Sequence, residues 1–279
     1  MSIAYRVCII IPPGYTHASC FAEVGYLLHA SLFSLGIDCD IRLNELSRER
    51  INIILGSHLM RFGDYLGQYR YIPYQLEQLS EREGVYSENV HTILSHAFQV
   101  WDYSIENMRF LDQKGIRAKH VPVGYHANLE QIADASVKDI DVFFYGSSGP
   151  RRQRIIDALA GSPGIAVKQL FGVYGKERDA WIARSKIILN IHHYSTNIFE
   201  AVRVSFLLNN RCFVLSEEST VYPYPGVEVP LVASDSVVSA CLEWLRQPEK
   251  IDARRRLTYE QFKDKYPMTS ILAKVIEES

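Results

Sequence analysis

The sequence predicts an α/β chain of two doubly wound domains, each a parallel sheet with helices on both faces. Three observations carry that prediction. Short β-rich runs alternate with helical stretches along the whole length, which calls for crossover connections and hence parallel pairing. The alternation pauses at a polar stretch between Asp134 and Asp139 and then restarts. The 279 residues suffice for two cores of ordinary size, at about 150 residues per domain. The boundary is placed at the end of Val121–His126, giving domains 1–126 and 127–279.

In the first half the candidate strands are Val7–Ile11, Ile37–Ile41, Ile51–Leu55, Tyr69–Pro73, Val90–Leu94 and Lys119–Val121, with helices over Phe21–Leu35 and Val100–Lys114. Val7–Ile11 meets Pro12-Pro13-Gly14 at once, the turn chemistry that ends a strand. In the second half the strands are Asp141–Tyr145, Ile165–Leu170, Lys186–Ile191, Cys212–Leu215 and Pro230–Val232, with helices between them and two more after the last. No solenoid-period repeat and no low-complexity tract interrupts the pattern.

Composition narrows the function classes. Hydrophobic residues at 47% and charged residues at 22% match soluble globular chains, so a folded chain throughout is expected. Lys+Arg 30 against Asp+Glu 32 gives a net charge of −2, which lacks the basic footprint of a nucleic-acid binder. A phosphate-bearing small molecule needs only a local patch. The five cysteines are far apart with no CxxC or Cys/His zinc spacing, and are expected to be reduced thiols in a cytoplasmic protein. The longest apolar region, Phe21–Ile37, is broken by Glu23 and His29, so no transmembrane segment is expected.

In open parallel sheets, ligands lie beyond the carboxyl ends of the strands, so the loops there are the places to look. After Asp141–Tyr145 come Gly146-Ser147-Ser148-Gly149, then Pro150 and an arginine-rich helix. Pro150 suits a first helical turn, the glycines admit a ligand to the backbone, and free amides at a helix start attract phosphate. Arg151, Arg152 or Arg154 could add charge-assisted bonds to a diphosphate. GxGxxG is absent, and Ile165–Leu170 does not end in a ribose-binding acid, which disfavours a dehydrogenase. After Lys186–Ile191 comes a polar loop with His192 and His193, then Asn197, Glu200 and a helix. Asn197 and Glu200 have the spacing of a capping box. The adjacent histidines lack a third ligand at a recognisable spacing, so no metal is expected.

This strand, polar loop and Phe199-Glu200-Ala201 helix, followed by Asn209-Asn210-Arg211 and Cys212–Glu217, resembles the donor-binding domain of GT-B glycosyltransferases. The resemblance implies two Rossmann-like domains facing each other across a cleft. It implies that Glu200 binds the ribose of a nucleotide sugar, that the Gly146 loop holds the diphosphate, and that Tyr174, in Phe171–Gly175, walls the base pocket. Many retaining members carry a second Glu eight residues earlier to hold the sugar, and His192 stands there in this sequence, which leaves the sugar and the stereochemical course open. Some inverting members place a histidine base in the loop after the first strand. His17, in the loop opened by Gly14, is the matching candidate for taking a proton from an acceptor hydroxyl, a job that falls to a group of the imidazole type.

On the acceptor side, Tyr74 and Glu77 follow one strand and His96 another, while His126 closes the segment joining the halves. The expected function is therefore metal-independent, cofactor-free transfer from a nucleotide diphosphate sugar to a glycan, lipid-linked, protein or small-molecule acceptor. The alternatives are a nucleotide-sugar epimerase of the same fold, or a non-catalytic nucleotide-sugar-binding module, since fold alone does not fix function.

Overall fold

The computed structural model describes residues 3–63 and 65–277. The chain forms two compact units, one running to Asn128 and taking in Tyr266 onward, the other Leu129–Lys265.

The first unit is built on six parallel strands: β1 (Tyr5–Ile9), β2 (Cys39–Leu43), β3 (Ile51–Leu55), β4 (Tyr71–Gln75), β5 (Trp101–Asp102) and β6 (Lys119–His120), in the order β2-β1-β3-β4-β5-β6. Helix α1 (Ala22–Ser34) buries Val24, Leu27, Leu28 and Leu32, each contributing about 1.5–3 kcal/mol of hydrophobic stabilisation. Two readings from the sequence are corrected here. Val90–Leu94 is not a strand but lies in helix α2 (Glu88–Ser95), where the Ser87 hydroxyl accepts from the Val90 amide at 3.3 Å. The buried positions Val90, Ile93 and Leu94 follow the helical period. Val100–Lys114 is not one helix: Trp101-Asp102 forms β5, and α3 (Ile105–Gln113) starts only after Ser104, whose hydroxyl accepts from the Asn107 amide at 3.2 Å.

The second unit has five parallel strands: β7 (Ile140–Tyr145), β8 (Val167–Leu170), β9 (Ser185–Asn190), β10 (Val214–Glu217) and β11 (Leu231–Val232), in the order β11-β10-β9-β7-β8. Helices α4 (Pro150–Ala160), α5 (Gly175–Ala183), α6 (Ala201–Asn209), α7 (Val237–Leu245) and α8 (Pro248–Lys265) connect or follow them. Val142, Phe144, Ile187, Leu189, Phe213 and Leu215 form the centre of its core.

The last helix, α9 (Met268–Glu277), belongs to the first unit although the sequence pattern groups it with the second half. Backbone bonds from Tyr125 N to Tyr266 O (2.7 Å) and from Met268 N to Tyr125 O (2.8 Å) tie it there. Gly124 is what permits the approach: a Cβ at this position would stand 2.4 Å from the Tyr266 carbonyl oxygen. Among the described residues no helix is long and apolar enough to cross a membrane. All five cysteines are free thiols; Cys8 and Cys241 are buried, while Cys20, Cys39 and Cys212 are half-buried.

Candidate functional site

In the second unit the chain begins at β7 and places β8 on one side and β9 on the other. The topological switch point therefore lies between the carboxyl ends of β7 and β9, the crevice where open α/β sheets bind ligands. The Gly146 loop leaves β7 there, and the His192 loop leaves β9 beside it.

Arg152 organises this crevice. It sits on the first turn of α4 and is 3% exposed. Its Nε and Nη2 donate to Ile191 O at 3.0 and 2.6 Å, its Nη1 to the carbonyl and hydroxyl of Ser147 at 2.8 and 3.3 Å, and its Nη2 also to Glu200 Oε1 at 2.5 Å. A guanidinium has five N–H donors, and these bonds use them all. Arg152 is thus a brace between the two loops, and the expectation that it reaches a ligand phosphate gives way to that role.

Glu200 pairs through its second carboxylate oxygen with Arg203, one turn further on. Arg203 also donates to the buried Asn190 Oδ1 at 3.0 Å. Burial acts to raise the Glu200 carboxyl, but the Arg203 and Arg152 guanidiniums outweigh it and hold the group below the usual carboxylate range. Its stabilising effect is accordingly complete above the ordinary carboxylate pKa and is lost as pH falls through the lower folded value. Glu200 is the residue before α6 and makes no side-chain cap bond. The expected capping box does not form: Asn197 turns the chain with φ 50° and the helix begins only at Ala201.

A second cluster stands alongside. Arg151 donates to His192 O at 3.0 Å and to the Ser234 hydroxyl at 2.8 Å, and pairs with Glu217, which is 1% exposed. The other Glu217 oxygen accepts from the His192 amide at 2.7 Å. The His192 ring is buried, with Nε2 2.9 Å from the Glu218 carbonyl oxygen; a carbonyl only accepts, so Nε2 carries the proton. Its Nδ1 is buried without a hydrogen-bond partner. His193 is exposed and meets Tyr194 edge-on, and Tyr174 is the half-buried residue before α5. Among the described residues no three His, Cys, Asp or Glu side chains are grouped to hold a metal ion.

Arg151, Arg152 and Arg203 face the two carboxylates Glu200 and Glu217, so one positive charge is left over. Two of the three arginines, Arg151 and Arg152, stand at the start of α4, whose cap residue Gly149 supplies no side-chain bond to the first amides. Such a surplus at a helix start suits an anion. Gly146 has φ 136°, and a Cβ there would stand 2.7 Å from Arg203 Nη2. Gly146→Ala is therefore expected to displace Arg203 and to lower the midpoint of urea unfolding. Arg203, Asn190 and Glu217 were missed as site residues from the sequence. The available signals were the Arg three residues after Glu200 and polar residues at the ends of two apolar strands.

In the first unit the switch point lies between β1 and β3. Gly14 (φ 76°) turns the loop after β1, and His17 lies half-buried in the following short helix, edge-on to Tyr15 at 5.5 Å. Burial raises the Tyr15 hydroxyl's pKa, and the charge of Glu77, half-buried just after β4, adds to that. His58, also missed, follows β3 and packs edge-on to Phe21 at 6.0 Å; burial alone lowers its pKa to about 4. The other acceptor-side candidates lie elsewhere. Tyr74 is 1% exposed and its hydroxyl donates to Val121 O at 2.6 Å, a core position. His96 ends α2 rather than a strand and meets the Phe62 ring at a tilt, 4.8 Å between centroids. His126 lies against the end of α1, its Nε2 3.2 Å from the Ser34 hydroxyl.

No protein-family model matches the chain. It is 29% identical to "Uncharacterized protein L137" of Acanthamoeba polyphaga mimivirus over 59% of its own length and 24% of that protein's. It is 30% identical to "Uncharacterized protein L140" of the same virus over 66% of its own length and 64% of that protein's. The match therefore spans less than two thirds of either relative. Among solved structures it is similar to AviGT4, a glycosyltransferase involved in avilamycin A biosynthesis (TM-score 0.58, 13% identity, 98% of this chain and 96% of that one). It is similar also to the T4 phage β-glucosyltransferase (TM-score 0.57, 12% identity, 98% and 99%). A third likeness is to TarM (TM-score 0.57, 10% identity, 91% and 57%). With two parallel-sheet units and these neighbours along nearly its whole length, the chain has the GT-B fold of glycosyltransferases.

Proposed function

We propose that the chain is a metal-independent glycosyltransferase that takes a sugar from a nucleotide diphosphate sugar bound in the second unit. The observation that carries this reading is the braced Glu200 carboxylate between Arg152 and Arg203, beside the Gly146 loop at the switch point. Each Glu200 oxygen keeps a lone pair for a ribose hydroxyl, and the pairing keeps the group ionised. Arg203, the α4 amides and the Gly146 loop stabilise the diphosphate as it departs, the largest electrostatic demand of an oxocarbenium-like transfer. His192 faces the sugar with a ring whose Nδ1 accepts a hydroxyl hydrogen bond. Tyr174 and His193 line the nucleotide, and Asn197 shapes the loop. In the first unit His17 takes the acceptor proton, with Gly14 and Glu77 around it.

A panel of nucleotide sugars, supplied with and without candidate acceptors, tests the proposal. Release of nucleoside diphosphate with transfer or hydrolysis of the sugar is expected, and it should persist in a chelator. His17→Ala should lower turnover about 10²–10⁴-fold while donor affinity stays. Interconversion of sugars would point to an epimerase, and saturable binding without turnover to a non-catalytic module. Activity abolished by chelation and restored by manganese would overturn the metal-independent chemistry.

A further inference from the structure

The second unit also contains a cavity of about 440 Å³ at the amino-terminal ends of its strands, opposite the end that carries Glu200. Its wall is formed by the end of α5, the start of β9, the turn before β10, the segment preceding β7, and the ends of α7 and α8 that face each other. Ile132, Ile182, Ala183, Phe213, Leu245 and Ile251 supply its apolar surface.

The charged residues of the wall are all engaged within the protein. Arg255 pairs with Asp134 at 2.9 Å and Asp252 at 2.6 Å, and Lys186 with Asp141 at 2.7 Å. Lys138 pairs with Asp134 at 3.3 Å and donates to the carbonyls of Ala183 and Ser185 at 2.9 and 3.1 Å. Arg211 pairs with Glu130 at 2.8 Å. The Asn210 side chain accepts from the Gln131 and Ile132 amides at 2.7 and 2.8 Å and donates to Phe206 O at 2.8 Å. The Ser185 hydroxyl donates to Trp181 O at 2.7 Å, and burial pushes the half-buried Cys212 thiol up to about 12, so it stays protonated. A charged ligand would compete with these pairs for the same side chains, whereas an apolar one gains burial without disturbing them.

We propose that this cavity is a binding site for a compact, uncharged, largely apolar molecule of the size of a fused aromatic ring system, separate from the nucleotide site. Its volume lies in the range of small-molecule pockets, about 300–1,000 Å³. Recognition rests on shape and apolar contact, because the polar wall offers no unused charge. The inference is independent of the proposed transferase activity.

Titration of the full chain with 1-naphthol, followed by calorimetry and by the unfolding midpoint, tests it. Saturable binding of one equivalent with an upward shift of the midpoint is expected. Ala183→Leu, at the last position of α5, and Ala135→Phe, in the segment preceding β7, should each weaken that binding about tenfold or more while far-UV circular dichroism stays unchanged. The two substitutions fill the cavity from different elements, so a folding defect in one leaves the other to decide. Absence of saturable binding, equal affinity in both filled variants, or tighter binding of 1-naphthoate than of 1-naphthol would overturn the proposal.

Discussion

Replacing Arg152 by methionine is expected to destabilise the second unit by about 3–5 kcal/mol, the range for removing one partner of a buried ion pair. The side chain is 3% exposed and its bonds reach Ser147, Ile191 and Glu200, so both loops of the crevice lose their common support. Glu200→Gln should cost less, about 1.5–3 kcal/mol, because the amide oxygen still accepts from Arg152 while the charge is gone. That cost is larger than a capping-box residue would imply, since glutamine serves equally well in such a box. Removing both charges together, in Arg152→Met with Glu200→Gln, should recover part of the loss, because Glu200 and Arg152 no longer leave each other unpaired and only Arg203 loses its carboxylate. Urea unfolding of the single and double variants measures these terms. A strictly additive double variant would show that the pair is not coupled and that Glu200 is held in place by something else.

The same network shows why the sequence revealed the fold more readily than the site. Alternating β-rich and helical runs are a local signal, and they located most strands of both sheets. The local signal failed where a short apolar run is compatible with either state. Val90–Leu94 has only three apolar residues, Val90, Ile93 and Leu94, too few to show a period, and its helix starts after Ser87, just outside the run. Trp101-Asp102 is a strand of two residues, too short to show any period before Ser104 starts the helix. The Asn197-to-Glu200 spacing satisfied a local pattern, yet the chain spends those residues turning through a positive φ and uses Glu200 for long-range pairing. Gly146 and Glu200 were legible because a glycine after a strand and an acid before a helix are positional signals. Glu217 was not, since its partner Arg151 lies 66 residues away. The role of Arg152 was equally hidden, because consuming every donor of a guanidinium depends on where two loops meet.

Acidification should destabilise the first unit between about pH 6.5 and pH 4, with His58 the main contributor beside His120 and His126, whose pKa values burial also lowers. Burial lowers the His58 pKa to about 4, against about 6.5 in the unfolded chain. In that window the unfolded chain takes up a proton that the folded chain refuses, so the stabilisation is complete above pH 6.5 and is lost as pH falls towards 4. The difference amounts to about 3 kcal/mol at most, since His58 is only half-buried and solvent screens part of it. His58→Phe keeps a ring against Phe21 and removes the proton, so its stability should vary less across the window, the remainder coming from His120 and His126.

Asp102 works in the opposite direction. It is 0% exposed, and burial drives its carboxyl well above the usual range, with the charge of Glu106 adding to the shift. Ser104 N and Asn107 Nδ2 donate to Oδ1 at 2.8 and 3.1 Å, while Oδ2 has no hydrogen-bond partner. The protonated form is favoured in the fold, so its contribution is fully present below the unfolded carboxylate pKa and is lost as pH rises through the raised folded value. Asp102→Asn should therefore gain stability relative to the parent at pH 8 and little at pH 4, since an amide keeps the Oδ1 acceptor without the buried charge. Denaturation midpoints of the parent, His58→Phe and Asp102→Asn at pH 4.5, 6 and 8 separate the two effects. An Asp102→Asn variant that gains equally at all three values would show that packing, not the buried proton, sets the difference.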